Sequence, residues 1–170
     1  MNGLSMLVSY VLVIVDMQNG FQSACSPTLI AAVLDEIRQA MRLGMPIVVL
    51  ECLPSRFGHT HSEILDLVRG YDSLRQIVLE KDGRGLGAGS GGGKEVEEAC
   101  QLLGFATDEF RFCGVNTDIC VFFTALEVSR KYPESRIALV EKACNTSWGD
   151  GLASFAYYAG FHKMGPYSVI

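Results

Sequence analysis

Three residues in this sequence are of the types needed to attack a carbonyl carbon, and each closes or follows an apolar run. Asp16 follows Tyr10 to Val15 (YVLVIV), Lys81 ends Arg75 to Lys81 (RQIVLEK), and Cys120 comes a short turn after Asp108 to Cys113. Such a set supports nucleophilic chemistry: the carboxylate takes the thiol proton, the ammonium stabilises charge, and the thiolate attacks. Singly, none of the three is unusual. Apolar cores hold many free cysteines, and strand-end Asp and Lys are commonly solvated.

The stretch Phe112 to Val121 (FCGVNTDICV) carries more information. A β-rich run meets Gly114, then Asn116, Thr117 and Asp118, and then apolar residues at helical spacing, Ile119, Cys120, Phe122, Phe123 and Leu126. The pattern predicts strand, tight turn and helix, with Asn116 or Thr117 as N-cap. A cysteine in the first turn of a helix faces unpaired N–H groups and the positive end of the macrodipole, which favour its thiolate. The same N–H groups can hold an oxyanion. On this reading Cys120, with Lys81 nearby, is the most acidic thiol of the chain. Asp16 opposes that when ionised, so the two titrate as a coupled pair.

The elements that must position these residues follow from periodicity. Tyr10 to Val15 is a continuous β-branched and apolar run, as expected of a strand buried on both faces. Pro27 to Leu43 has amphipathic helical spacing, with Ser26 as N-cap, Pro27 at the first helical position and Gly44 closing it. Ile47 to Glu51 and Arg75 to Lys81 read as the second and third strands, with a helix at His61 to Val68 between them. A helix from Lys94 to Leu103 precedes the fourth strand, and the helix carrying Cys120 stops at Tyr132 before Pro133. Arg136 to Glu141 reads as the fifth strand, Gly149 to Ala159 as a helix and Phe161 to Met164 as a short sixth strand. Strict alternation predicts an α/β fold built on a doubly wound parallel sheet. In such sheets ligands bind outside the carboxyl ends of the strands, which is where Asp16, Lys81 and Cys120 fall.

With 170 residues, 49% of them apolar, the chain fits a single domain over 1–170. A chain of this size buries about 70% of its extended surface, so no disulfide or metal is needed for folding. The net charge of −5 contains no basic block, which argues against a nucleic-acid partner. Six cysteines without a CxxC pair read as reduced thiols, with Cys25 and Cys52 at loop borders and the rest, apart from Cys120, in the core. The apolar start, Leu4 to Val15, lacks the basic flank and cleavage site of a signal peptide and is too short to span a bilayer. A cytoplasmic protein that does not enter a membrane is expected.

VIVDMQNGF (Val13 to Phe21), the lysine of VLEK (Lys81) and CGVNTDICV (Cys113 to Val121) resemble, in order, three signatures of the isochorismatase-like cysteine hydrolases. EKACNTS (Glu141 to Ser147) is similar to the end of that family's fifth strand. The resemblance implies a three-layer, six-stranded parallel sheet with helices on both faces, and an Asp16, Lys81, Cys120 triad. It also implies a cis peptide between Val115 and Asn116 that lets the N–H groups of Asn116 and Cys120 form an oxyanion hole. The implied reaction is hydrolysis of a C–N bond in a small amide or ureide, without a cofactor, by a homodimer or homotetramer.

The sequence also departs from the family. Nicotinamidases in it carry a metal-binding DxH after the second strand, and here the place reads Glu51, Cys52, Leu53; with only His59 and His61 following, no metal is expected. Gly20 stands where an acidic residue is frequent. Phe21, Phe57, Arg84 and Trp148 are candidates for the substrate pocket. Glycines recur through 83 to 93, and this loop supports the rival reading, a nucleotide-binding module spanning Gly83 to Lys94. That loop follows the third strand, where a dinucleotide fingerprint follows the first, and the phosphate-loop pattern fails at Ala88 and Glu95. A family relative that has lost catalysis is the other alternative.

Overall fold

The computed structural model describes residues 9–81, 91–146 and 167–170. Six parallel strands form one sheet: β1 (Tyr10–Val15), β2 (Ile47–Cys52), β3 (Gln76–Lys81), β4 (Glu109–Val115), β5 (Arg136–Asn145) and β6 (Tyr167–Val169). Their spatial order is β3-β2-β1-β4-β5-β6, so the chain winds outward from β1 in one direction and then from β4 in the other. The reversal lies between β1 and β4, at the ends of which stand Asp16 and the Cys120 turn.

All six residues of β1 are buried, and alternation divides them between two cores. Val11, Val13 and Val15 face Val48, Leu50, Phe110 and Phe112, covered by α4 (Gly93–Leu103) through Val96 and Ala99 and by α5 (Phe122–Lys131) through Ala125 and Val128. Tyr10, Leu12 and Ile14 face the other way. They pack with Ile47 and Val49 under α1 (Pro27–Arg42) and, beyond the single turn α2 (Pro54–Phe57), α3 (Ser62–Arg69); α1 and α3 contribute Leu29, Val33, Ile37, Ile64 and Val68. At about 1.5–3 kcal/mol for each large aliphatic side chain buried, these two layers dominate the favourable side of folding. The result is a three-layer α/β fold.

Local signals set the boundaries. The Ser26 hydroxyl accepts the Leu29 N–H, Pro27 opens α1, and Gly44 follows its end at φ +71°. Gly114 has φ +117°, and a Cβ there would lie 2.0 Å from the Val15 carbonyl oxygen, so only glycine lets β4 end against β1. The expected helix at Gly149 to Ala159 and strand at Phe161 to Met164 lie outside the described residues; the sixth strand in the described part is Tyr167–Val169.

The last glycines of the glycine-rich run have a packing reason. A Cβ on Gly91 would come within 2.5 Å of the Phe123 backbone, and one on Gly93 within 2.3 Å of Glu127 Cβ, so α4 and α5 approach closely only over glycine. The Gly91 and Gly93 N–H groups each donate to a Glu127 carboxylate oxygen at 2.9 Å. This side-chain anion sits where the start of α4 would otherwise offer its N–H groups to a phosphate, which removes that support for the nucleotide-binding reading.

Gly114→Ala is expected to destabilise the protein by on the order of 3 kcal/mol, combining an unfavourable φ with backbone overlap. Thermal denaturation checks this; an unchanged midpoint would contradict the close approach of β4 to Val15.

Candidate active site

Strand order determines which side chains can meet. β2 lies between β1 and β3, with Cys52 in register with Lys81 and Val15 with Leu50. The Lys81 side chain crosses the end of β2 and places Nζ 2.7 Å from Asp16 Oδ2, with the two side chains 3% and 1% exposed. The lysine stem runs past Gly92, where a Cβ would lie 3.4 Å from Lys81 Cδ and 2.7 Å from Leu50 Cδ1. Asp16 has φ +51°, a left-handed conformation that Asp tolerates better than most residues, and it turns the chain out of β1.

Cys120 is not in the first turn of an α-helix. Thr117–Val121 form a single π-helical turn, closed by the Val121 N–H donating to the Asn116 carbonyl at 3.0 Å, and α5 begins at Phe122. Single π turns recur at functional sites. Neither expected cap is made. Thr117 Oγ1 donates to the Asn145 carbonyl at 3.0 Å, and Asn116 Oδ1 is buried without a partner. The turn is held instead from β5 and the segment after β1: Thr146 Oγ1 donates to Asp118 Oδ1 at 2.6 Å, and Asn145 Nδ2 to the Ser23 carbonyl at 2.9 Å. Thr124 Oγ1 donates to the Cys120 carbonyl at 2.7 Å. The Val115–Asn116 peptide bond is cis.

Cys120 and Asp16 act on each other's titration: the thiol favours the Asp16 carboxylate, Asp16 disfavours the Cys120 thiolate, and the Asn116 backbone favours that thiolate. The 2.7 Å contact from Lys81 is a charge contact without good hydrogen-bond direction, which leaves the Asp16 lone pairs open to the thiol proton. Burial raises the Asp16 carboxyl above the usual aspartate range, only partly offset by Lys81. Burial pulls Lys81 down, but the Asp16 carboxylate and the Cys120 sulfur overcome this and keep it charged. The Cys120 thiol is pushed up to about 12, first by burial and then by Asp16, against the lowering influence of Lys81. This corrects the expectation of an acidic Cys120. Cys120 lies inside the π turn, two positions before α5 begins, and desolvation exceeds what the lysine restores. Cys113 and Cys144 are also raised by burial, Cys25 is exposed and Cys52 is half-buried.

Phe21 and Phe57 stack beside this edge, with ring centroids 4.8 Å apart, and the Arg56 guanidinium lies 5.1 Å from the Phe57 centroid. Gly20 is required there, because a Cβ would lie 2.3 Å from the Phe57 carbonyl oxygen. Arg84 and Trp148 lie outside the described residues. Sequence reasoning gave no role to Gln18. It is fully buried, its Oε1 accepts the Cys52 N–H at 2.6 Å, and its Nε2 donates to the Cys52 and Gly58 carbonyls at 3.1 and 2.5 Å. It ties the end of β2 to the loop carrying Phe57, and its only signal was its place in the DMQ motif.

The residues after β2 do not fit a metal. One Glu51 oxygen faces His59 Nδ1 at 3.0 Å and the other accepts the Thr60 N–H at 2.8 Å. Those contacts outweigh burial and hold the Glu51 carboxyl below its usual range. Among the described residues no three His, Cys, Asp or Glu side chains gather as a metal-ligand set.

The family model of the isochorismatase domain matches residues 10–165. The chain belongs to the isochorismatase family. Solved structures similar to this isochorismatase-family chain include the MAR1 ribonuclease of Caenorhabditis elegans, at 17% identity and TM-score 0.72, over 95% of this chain and 77% of that one. The YcaC gene product of Escherichia coli, described as an octameric hydrolase of unknown specificity, aligns at 17% identity and TM-score 0.68, over 95% and 74%. N-carbamoylsarcosine amidase of Thermoplasma acidophilum aligns at 21% identity and TM-score 0.62, over 95% of each chain. No curated protein matches the sequence. At these identities the likeness is one of fold.

Replacing Asp16 should move the thiol. In Asp16→Asn the carboxylate that adds to the effect of burial on Cys120 is gone while Lys81 stays, so the thiol pKa is expected to fall below about 12. Thiolate absorbance followed against pH, with Cys120→Ala as blank, checks this; an unmoved titration would mean that burial alone sets the thiol.

Proposed function

We propose that this chain is a cysteine hydrolase that cleaves the C–N bond of a small amide or ureide through a thioester on Cys120. The observation that carries the reading is the buried Asp16–Lys81 pair, 2.7 Å apart, with Cys120 close enough for it and Asp16 to shift each other's titration. A thiol pushed up to about 12 is protonated at neutral pH, so attack requires a base within reach, and Asp16 is placed to be that base. As the sulfur bonds to the carbonyl carbon, its proton passes to Asp16. The oxyanion rests on the N–H groups of Asn116 and Cys120. Asp16 then returns the proton to the leaving nitrogen as the C–N bond breaks. In the second half Asp16 takes a proton from water, the hydroxide displaces the sulfur, and the carboxyl proton goes back to Cys120. Lys81 stays charged throughout and stabilises the anionic form of Asp16.

In this reading the 170 residues are one hydrolase domain acting on a small-molecule amide in the cytoplasm, with no nucleic-acid or membrane partner. No helix among the described residues is long and apolar enough to cross a membrane. We also propose a homodimer or homotetramer. Leu74, Leu102 and Phe123 are 72%, 65% and 39% exposed and offer apolar surface for such contacts, and one structural relative is described as an octameric hydrolase. Light scattering at micromolar concentration should give a mass of at least two chains; a monomer would overturn this.

The main test compares ammonia release by wild type and Cys120→Ser on nicotinamide and N-carbamoyl amino acids, with intact mass recorded during turnover. The expected result is an acyl adduct on Cys120 and a loss of roughly 10³-fold or more in the variant. Undiminished turnover in Cys120→Ser would refute the mechanism. Because the base must be ionised, activity should rise with pH through an Asp16 pKa lying above the ordinary aspartate value. An acid limb at or below that ordinary value would contradict the assignment.

A further inference from the structure

The carboxyl end of β2 carries a turn that the proposed reaction does not use. This turn, α2, is stapled onto the residues that follow Asp16. The Gly20 N–H donates to the Phe57 carbonyl at 2.8 Å, the Asn19 N–H and side-chain amide both donate to the His59 carbonyl at 3.1 Å, and Gln18 Nε2 donates to the Gly58 carbonyl. Leu53, which enters the turn, has φ +42° and ψ 66°, a left-handed conformation that leucine holds only where its surroundings enforce it. The turn therefore has a fixed place beside the end of β1, and it displays Arg56.

Arg56 is exposed, and its guanidinium lies over the Phe57 ring, 5.1 Å from the centroid, while that ring stacks on Phe21 at 4.8 Å. A guanidinium over an aromatic ring keeps its N–H edges free for a planar oxyanion and loses little freedom on binding one. Among the described residues no carboxylate lies within ion-pair reach of Arg56. Other charges at this edge are committed: Lys81 to Asp16, and Glu51 to His59 and the Thr60 N–H. Cys52, in register with Lys81, shows that Arg56 acts on the same region. Burial, Asp16 and Glu80 raise its thiol, while Lys81 and Arg56 oppose them, so the charge of Arg56 reaches a side chain that the Asp16–Lys81 pair also reaches.

We propose that Arg56 binds a carboxylate of the substrate, making the site selective for small amides and ureides that carry an acid group over uncharged ones such as nicotinamide. The inference rests on the proposed hydrolase reading and deepens it. Arg56 offers parallel N–H bonds that match both oxygens of a carboxylate, and an uncharged group in that place forfeits them. The chain as a whole disfavours anions through its net charge of −5, so such a preference has to come from a local cation.

The test uses two acids, succinamate and N-carbamoylglycine, and their uncharged isosteres 4-methylpentanamide and isobutylurea, in which isopropyl replaces the carboxylate. In wild type, kcat/KM for the better acid should exceed that of its isostere at least about tenfold. In Arg56→Met, which keeps the length and loses the charge, this ratio should fall by about tenfold, and Arg56→Lys should retain part of it. The ratio compares two substrates on one preparation, so a loss of folded protein does not alter it. A wild-type ratio near one, or an unchanged ratio in Arg56→Met, would leave only a solvated arginine and overturn the proposal. Calorimetric binding to Cys120→Ala makes the same comparison without turnover: an acid should bind at least about tenfold more tightly than its isostere. Binding of neither acid would overturn the proposal. Turnover that survives Cys120→Ser would instead overturn the hydrolase reading itself.

Discussion

An ammonium and a carboxylate 2.7 Å apart, 3% and 1% exposed, each lose several kcal/mol of hydration, and such a pair persists only where the surroundings fix both ends. Here the fixing is distributed over the fold. The order β3-β2-β1 sets the span that the lysine must cross. Gly92 leaves room for its stem beside Leu50, and Gly91 and Gly93 are held in place by the Glu127 carboxylate, so the packing of α4 on α5 determines where the ammonium ends. On the other side, the end of β1 and Gly114 of β4 bring Asp16 and the Cys120 turn to the same edge.

The pair also sets the chemical state of the cysteine. On the proposed reading, in which Lys81 is charged and Asp16 ionised, the buried group is neutral only if Cys120 keeps its proton, and the lowest-cost arrangement is a thiol facing a carboxylate. A thiolate would add a second negative charge in a dry environment, which is why the lysine moves the thiol less than burial does. In the proposed reaction Cys120 is therefore activated by proton transfer at the moment of attack. This differs from cysteine sites that hold a standing thiolate at a helix start.

Much of this arrangement was legible in the sequence, and the parts that were not share a cause. Continuous apolar runs such as YVLVIV identify buried parallel strands, and residues at their ends fall on one edge whatever the strand order. Asp16, Lys81 and Cys120 could be grouped for that reason. Contacts across long separations leave no local trace. Glu127 holding Gly91 and Gly93, Gln18 bonding Cys52 and Gly58, and Thr117 turning to Asn145 each join segments between 28 and 40 positions apart. The capping expectation for Asn116 and Thr117 failed because β5 and a π turn compete for the same groups. The acidity expected of Cys120 failed because burial depends on packing that spacing does not reveal.

The central claim is that Cys120 rests as a neutral thiol on an ionised Asp16. Infrared difference spectra at neutral pH, wild type minus Cys120→Ala, test it most directly through the S–H stretch. The account predicts an S–H band for Cys120, shifted by hydrogen bonding and altered when Asp16 is replaced by asparagine. A spectrum with no Cys120 S–H band, and thiolate absorbance in its place, would contradict it.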